Sequence, residues 1–214
     1  MSQFLQYDTN NFTALCDILT KKDKDLSSII QIHGYPTPWI RPNTFQTLVL
    51  TILEQQVSLA AAYAAFNRLK NKIGLVTPTK ILALTDQELR DCYFTRQKIT
   101  YARGLAEAVQ SKKIRLKKME ELPDEIVREQ LIQLKGIGNW TIDVYLMHAL
   151  RRTDLFPLGD IALVNSLKHI KKLKPDIAKE KMLAIAESWR PYRTIAAMIL
   201  WHDYLKRRGT KIQD

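Results

Sequence analysis

Apolar positions along this chain recur every three or four residues, the spacing of helices that bury one face. Phe12, Leu15, Cys16, Ile18 and Leu19 form one such face. Phe45, Leu48, Val49, Ile52, Leu53, Val57 and Ala60 form a longer and more deeply apolar one. Thr85-Asp86-Gln87-Glu88 reads as a capping box, with a hydroxyl and a carboxylate placed to satisfy the amides of a helix start. Pro123, Pro175 and Pro191 stand where a first helical turn tolerates a missing N–H. No alternating run has the length of a useful strand, so the pattern predicts an all-α protein of some ten short helices.

Two stretches interrupt the helical pattern: Gly34-Tyr35-Pro36-Thr37-Pro38-Trp39 and Phe156-Pro157-Leu158-Gly159. They predict a central helical lobe over 44–157 and a second lobe assembled from 1–43 and 158–214. A cleft between two such lobes is the expected binding site, because ligands favour junctions of this kind.

Composition then narrows the partner. The net charge is +11 and 46% of residues are hydrophobic. With a pI near 9.6, the surplus favours a polyanion or an anionic membrane, although a basic protein with no charged partner has the same composition. Basic runs occupy 112–118, 168–174 and 206–208, and each also reads as a solvated face. Cys16 and Cys92 are the only cysteines. Two thiols hold neither a four-thiolate iron–sulfur cluster nor a zinc ribbon, and they are no disulfide framework. Met1 to Asn11 lacks the basic and apolar regions of a secretion signal, and no apolar run approaches the ~20 residues of a membrane span. The expectation is a reduced, cytoplasmic protein, nucleoid-associated if bacterial, with no membrane partner and no nucleotide cofactor.

Two short segments carry candidate chemistry. In Leu131-Ile132-Gln133-Leu134-Lys135-Gly136-Ile137-Gly138-Asn139-Trp140-Thr141, one helix ends near Gln133 and another begins at about Asn139. Glycines spaced by one residue allow a tight turn and close approach to a surface. The second helix then presents its leading N–H groups, an arrangement that fits a phosphate; a plain helix–helix turn needs the same glycines. Asp160 follows Pro157-Leu158-Gly159 and precedes an apolar helical pattern. That position suits an N-cap, and equally a carboxylate at the mouth of a site.

Gly136-Ile137-Gly138-Asn139-Trp140-Thr141 followed by Pro157-Leu158-Gly159-Asp160 resembles the signature of the helix–hairpin–helix DNA glycosylase superfamily. More narrowly, the chain resembles the 3-methyladenine DNA glycosylase II branch, in a short form without its N-terminal β-rich domain. Leu53-Glu54-Gln55-Gln56-Val57-Ser58, similar to that branch's Gln-rich helix end, and Trp189-Arg190-Pro191-Tyr192-Arg193 with Trp201 extend the likeness over about 45–204. The resemblance implies a helix–hairpin–helix at about 124–149 and Asp160 as the catalytic carboxylate. It implies Trp140 and Trp201 as walls of a base pocket. DNA contacts would come from Gln56, Ser58, Lys135, Gly136, Ile137, Gly138 and Thr141, with Gln56 as the wedge that fills the space left by a flipped base. Backbone carbonyls of Ile132, Leu134 and Ile137 would match a site for a monovalent cation, Na+ or K+, with no other cofactor required. The chain departs from its relatives at Gln56, where an apolar wedge is common, and at Val144, where some carry a pocket aromatic.

The expected reaction is hydrolysis of the N-glycosidic bond of an alkylated purine in double-stranded DNA by a monomeric enzyme. Excision requires the base to leave the stack, and Asp160 would stabilise positive charge developing on the sugar or orient a water. The position at which strand-cleaving relatives carry a nucleophilic lysine is Trp140, which implies a monofunctional enzyme. The alternatives are a glycosylase of the same fold for oxidised or mispaired bases, and a non-catalytic DNA-binding protein.

Overall fold

The computed structural model describes residues 4–209, and thirteen helices run through them with an isolated bridge between Gln6 and Arg152. The chain separates into two compact units. One is the continuous stretch Arg41–Leu150, and the other joins Met1–Ile40 to Arg151–Asp214. These divisions, at 40/41 and 150/151, fall three and seven residues ahead of the breaks read at 43/44 and 157/158.

The continuous unit holds α3 (Phe45–Glu54), α4 (Leu59–Ile73), α5 (Pro78–Ala83), α6 (Asp86–Asp91), α7 (Arg96–Gln110), α8 (Leu116–Met119), α9 (Asp124–Leu131) and α10 (Asn139–His148). Its axis is α3, buried at every position but Gln46 and packed against α4, α7 and α10. The buried Glu54 carboxylate at its end takes both arms of the Arg41 guanidinium, at 2.5 and 2.8 Å. Burial works against the charge on Arg41, but the Glu54 bonds outweigh it and hold the guanidinium pKa above its ordinary value. The Thr85–Glu88 capping box forms as read, with both reciprocal bonds present at the start of α6.

The other unit holds α1 (Phe12–Lys22), α2 (Lys24–His33), α11 (Ile161–Ile170), α12 (Lys179–Glu187) and α13 (Arg193–Arg207). α13 is its core, buried without interruption from Thr194 to Asp203 and packed against α11, α2 and α1. Asp23 fastens this unit together. Its carboxylate caps α2 and accepts from Lys171 Nζ at 2.7 Å and from the buried Trp189 indole N–H at 2.7 Å.

Three details depart from the sequence reading. The apolar face of 45–60 is split: α3 ends at Glu54, Gln56 turns the backbone at φ 58°, and Ser58 caps a new helix through the Ala61 N–H at 3.2 Å. Val57 and Ala60, which the spacing placed on that face, are exposed, because apolar spacing alone carries no record of where a helix stops. Pro175 and Pro191 lie in turns ahead of α12 and α13, and Pro123 is the residue before α9; proline's restriction of its neighbour suits a turn as well as a helix start. The count exceeds ten because α5, α6 and α8, of six, six and four residues, are too short for a period to register.

Candidate functional site

The hairpin is made by backbone geometry. α9 ends at Leu131 and α10 starts at Asn139, so the turn between them is slightly longer than the spacing suggested. Arg128 ties the two helices, reaching Asp143 Oδ1 at 2.5 Å and Asn139 Oδ1 at 3.2 Å. Burial pushes the Asp143 carboxyl above its ordinary range, and the Arg128 pairing only partly offsets this.

The two glycines of the turn serve different ends. Gly136 has φ +88°, and a Cβ there would stand 2.0 Å from the Tyr101 ring. Packing and conformation both require glycine. Gly138 is in ordinary extended conformation, and a Cβ would meet nothing within 4 Å. Packing makes no demand for glycine at 138, and the position is open to the outside. The first bond of α10 runs from the Ile142 N–H to the Gly138 carbonyl at 3.1 Å. The N–H groups of Asn139, Trp140 and Thr141 therefore project past the helix start, where partial positive charge collects.

Of the seven residues expected to touch DNA, Gly136 is half-buried and the other six fall into two groups. Gln56, Ser58, Lys135 and Gly138 are exposed, and Gln56 stands on the turn between α3 and α4 in the left-handed region that non-glycine residues avoid. Ile137 and Thr141 have buried side chains, each 2% exposed, leaving only their backbone for an outside ligand. Thr141 points inward because its hydroxyl accepts from Gln55 Nε2 at 2.9 Å; the same amide donates to the Gly136 carbonyl at 2.8 Å. Gln55 thus pins the hairpin to the end of α3. The sequence reading missed its role, and only its membership of the Gln-Gln pair marked it. Trp140 is half-buried. Of the three carbonyls expected to hold a cation, that of Leu134 accepts the Ile137 N–H at 3.0 Å, and Ile132 lies just past the last residue of α9. A set of neutral oxygens fits Na+ or K+ better than a transition metal. Among the described residues, no group of three or more His, Cys, Asp or Glu could hold a metal ion.

Asp160 and Trp201, both in the unit formed from the two chain ends, are brought together. Asp160 is the N-cap of α11, its Oδ1 accepting the Leu163 N–H at 2.9 Å. The same oxygen accepts the indole N–H of Trp201, also at 2.9 Å. Trp201 is buried on α13 and stacks on Trp39, with centroids 5.3 Å apart and planes at 21°. Trp39 ends the Gly34–Trp39 connector, which the sequence reading treated only as a rigid break.

The chain matches the family described as HhH-GPD superfamily base excision DNA repair protein over residues 49–191. The chain belongs to this family. The matched span contains the hairpin and Asp160 and leaves Trp39 and Trp201 outside. Among curated relatives, DNA-3-methyladenine glycosylase 1 of Schizosaccharomyces pombe is 34% identical, over 88% of either chain. A Bacillus subtilis protein named as a candidate DNA-3-methyladenine glycosylase is 31% identical over 83% of this chain, which spans 65% of that relative. The solved structure of the fission-yeast 3-methyladenine DNA glycosylase in complex with abasic DNA superposes with a TM-score of 0.81 at 29% identity, covering 88% of this chain and 95% of that one. Membership of the HhH-GPD superfamily accounts for the nearly all-helical fold and for the hairpin at its expected place. No helix among the described residues is long and apolar enough to cross a membrane.

Proposed function

We propose that this protein is a monofunctional DNA glycosylase that hydrolyses the N-glycosidic bond of alkylated purines of the 3-methyladenine type in double-stranded DNA, acting as a monomer. The observation that carries the reading is the double hold on Asp160 Oδ1, by Leu163 N–H and by Trp201 Nε1–H. An N-cap alone needs only the first bond. A second donor, reaching from a buried tryptophan on another helix, makes sense for a carboxylate whose orientation matters to chemistry. The similarity to proteins named 3-methyladenine glycosylases supports the substrate class.

The residues then divide the work. The outward N–H groups of α10, with Lys135 and the bare backbone at Gly138, hold phosphates without reading sequence. Gln56 fills the gap that a flipped base leaves, and Trp140 stacks on a cationic ring. The carbonyls of Ile132, Leu134 and Ile137 would hold a Na+ or K+ ion, whose charge would stiffen the turn. Asp160 faces the positive charge that grows on the sugar as the bond breaks, or directs a water to it. An alkylated purine is already cationic and leaves without a proton. In keeping with this, burial first and Arg41 second hold His148 well below the ordinary imidazole pKa, so it is neutral at pH 7 and supplies no acid. Trp140, lacking an amine, forms no Schiff base.

The test is a panel of labelled duplexes, each with one lesion, incubated with wild type and Asp160→Asn and then cleaved at abasic sites with alkali. Release of N-alkylated purines is expected, falling ~10²–10³-fold in Asp160→Asn while DNA binding is kept or strengthened. Release of an oxidised base alone would overturn the alkylbase assignment. Strand cleavage without alkali, or a borohydride-trapped covalent complex, would overturn the monofunctional one.

A further inference from the structure

We infer that Trp201 acts on the reaction through its indole N–H, as a positioning residue for Asp160, and that Trp39 holds the indole in place for that purpose. The inference rests on the reading of Asp160 as the catalytic carboxylate. It changes what the tryptophan is for: the base-pocket assignment uses the face of the ring, whereas the geometry uses its edge.

Three observations converge. The N–H of Trp201 ends on Asp160 Oδ1 at 2.9 Å, the oxygen that also caps α11. A carboxylate held at one oxygen by donors from two different helices cannot rotate about its terminal bond without breaking both. The ring itself has little surface to offer a ligand, being 4% exposed with one face covered by Trp39. Finally, Trp39 is itself anchored, since the hydroxyl of the fully buried Tyr7 donates to its backbone carbonyl at 3.2 Å. The stack therefore links three segments: the N-terminal stretch, the connector before residue 40 and α13. Hydrogen bonds to a carboxylate are stronger than those between neutral groups, so the indole N–H is a firm hold on its orientation.

The decisive variant replaces the Trp201 indole with a benzothiophene by incorporating β-(3-benzothienyl)alanine. This keeps ring size and stacking and deletes only the donor; Trp201→Phe is run beside it. The expected result is a loss in the single-turnover excision rate of about tenfold or more, with DNA affinity unchanged. The loss is expected in the excision step, not in the dissociation constant for abasic-site DNA. A purely structural tryptophan would lower stability while leaving the folded enzyme's excision rate at its wild-type value. A wild-type single-turnover rate in the benzothienyl protein overturns the inference. So does a rate loss matched by an equal loss of DNA affinity. Asp160→Asn in parallel separates the two levels: if it too excises like wild type, the reading of Asp160 as the catalytic residue has failed, whereas an inactive Asp160→Asn beside a fully active benzothienyl protein confines the failure to Trp201.

Discussion

The α9–α10 hairpin and the entry to α11 reach precision by opposite means. The hairpin is built from main chain: a positive φ at Gly136, an open Cβ position at Gly138 and helix-leading N–H groups. Its side-chain support, Gln55 and Tyr101, comes from behind. At Asp160 the backbone does no more than start a helix, and the carboxylate is oriented by a tryptophan edge from α13. On the proposed function the difference has a reason. Docking a repeating phosphate backbone needs geometry common to every nucleotide, and stabilising one transient charge needs a single group held in one orientation.

That contrast can be broken most sharply at the two glycines. Gly136→Ala forces a Cβ to 2.0 Å from the Tyr101 ring at φ +88°, with an expected cost of about 2–4 kcal/mol in denaturant unfolding and loss of DNA binding with it. Gly138→Ala is expected to unfold within about 0.5 kcal/mol of wild type yet bind DNA several-fold more weakly, because the new methyl occupies the open approach. Equal losses of stability in the two variants would show that both glycines serve the fold alone.

Gln55→Ala removes two hydrogen bonds that hold the hairpin to α3. The expected effect is about 1–2 kcal/mol of stability and a loosened turn, seen as faster amide exchange in 134–141. Exchange at 160–163, which the amide does not touch, should stay as it is; faster exchange there would contradict the separate construction of the two regions.

The smallest expected effect is in acid, where the two units should respond with opposite sign. Asp23 is held below its ordinary value of 3.8: burial alone would raise it, but bonds from Lys171, Trp189 and Leu26 prevail. Its contribution is present above that value and is lost as pH falls through the lower folded-state pKa. Asp143 is raised by burial, so ionising it is costlier in the folded hairpin, and protonation relieves that cost as pH falls toward 3.8. Melting curves from pH 6 to 3 should show the gap between wild type and Asp23→Asn closing in acid. Asp143→Asn should gain relative to wild type as pH rises above the ordinary carboxylate range. Parallel curves for both variants would refute the opposed signs.

Much of this was legible in the linear sequence because it is local. The Thr85 capping box, the N-cap at Asp160 and the glycine turn between two helices each depend on residues within a few positions of one another. Hydrophobic spacing is local too, which is why α1 and α3 could be read from it. Where one helix stops and another starts after a short turn, as at Gln56, the same spacing misleads. Only the tertiary structure decided the rest. That Thr141 points inward to Gln55, that Tyr101 fixes the identity of residue 136 but not of 138, and that Trp201 meets Asp160 by its edge are contacts between positions 35 to 86 residues apart. The sequence by itself determined an all-helical, basic chain with a glycine turn between two helices and a carboxylate at a helix start. Which atoms hold that carboxylate depended on packing, because the direction in which a side chain points is set by the helix that happens to lie across from it.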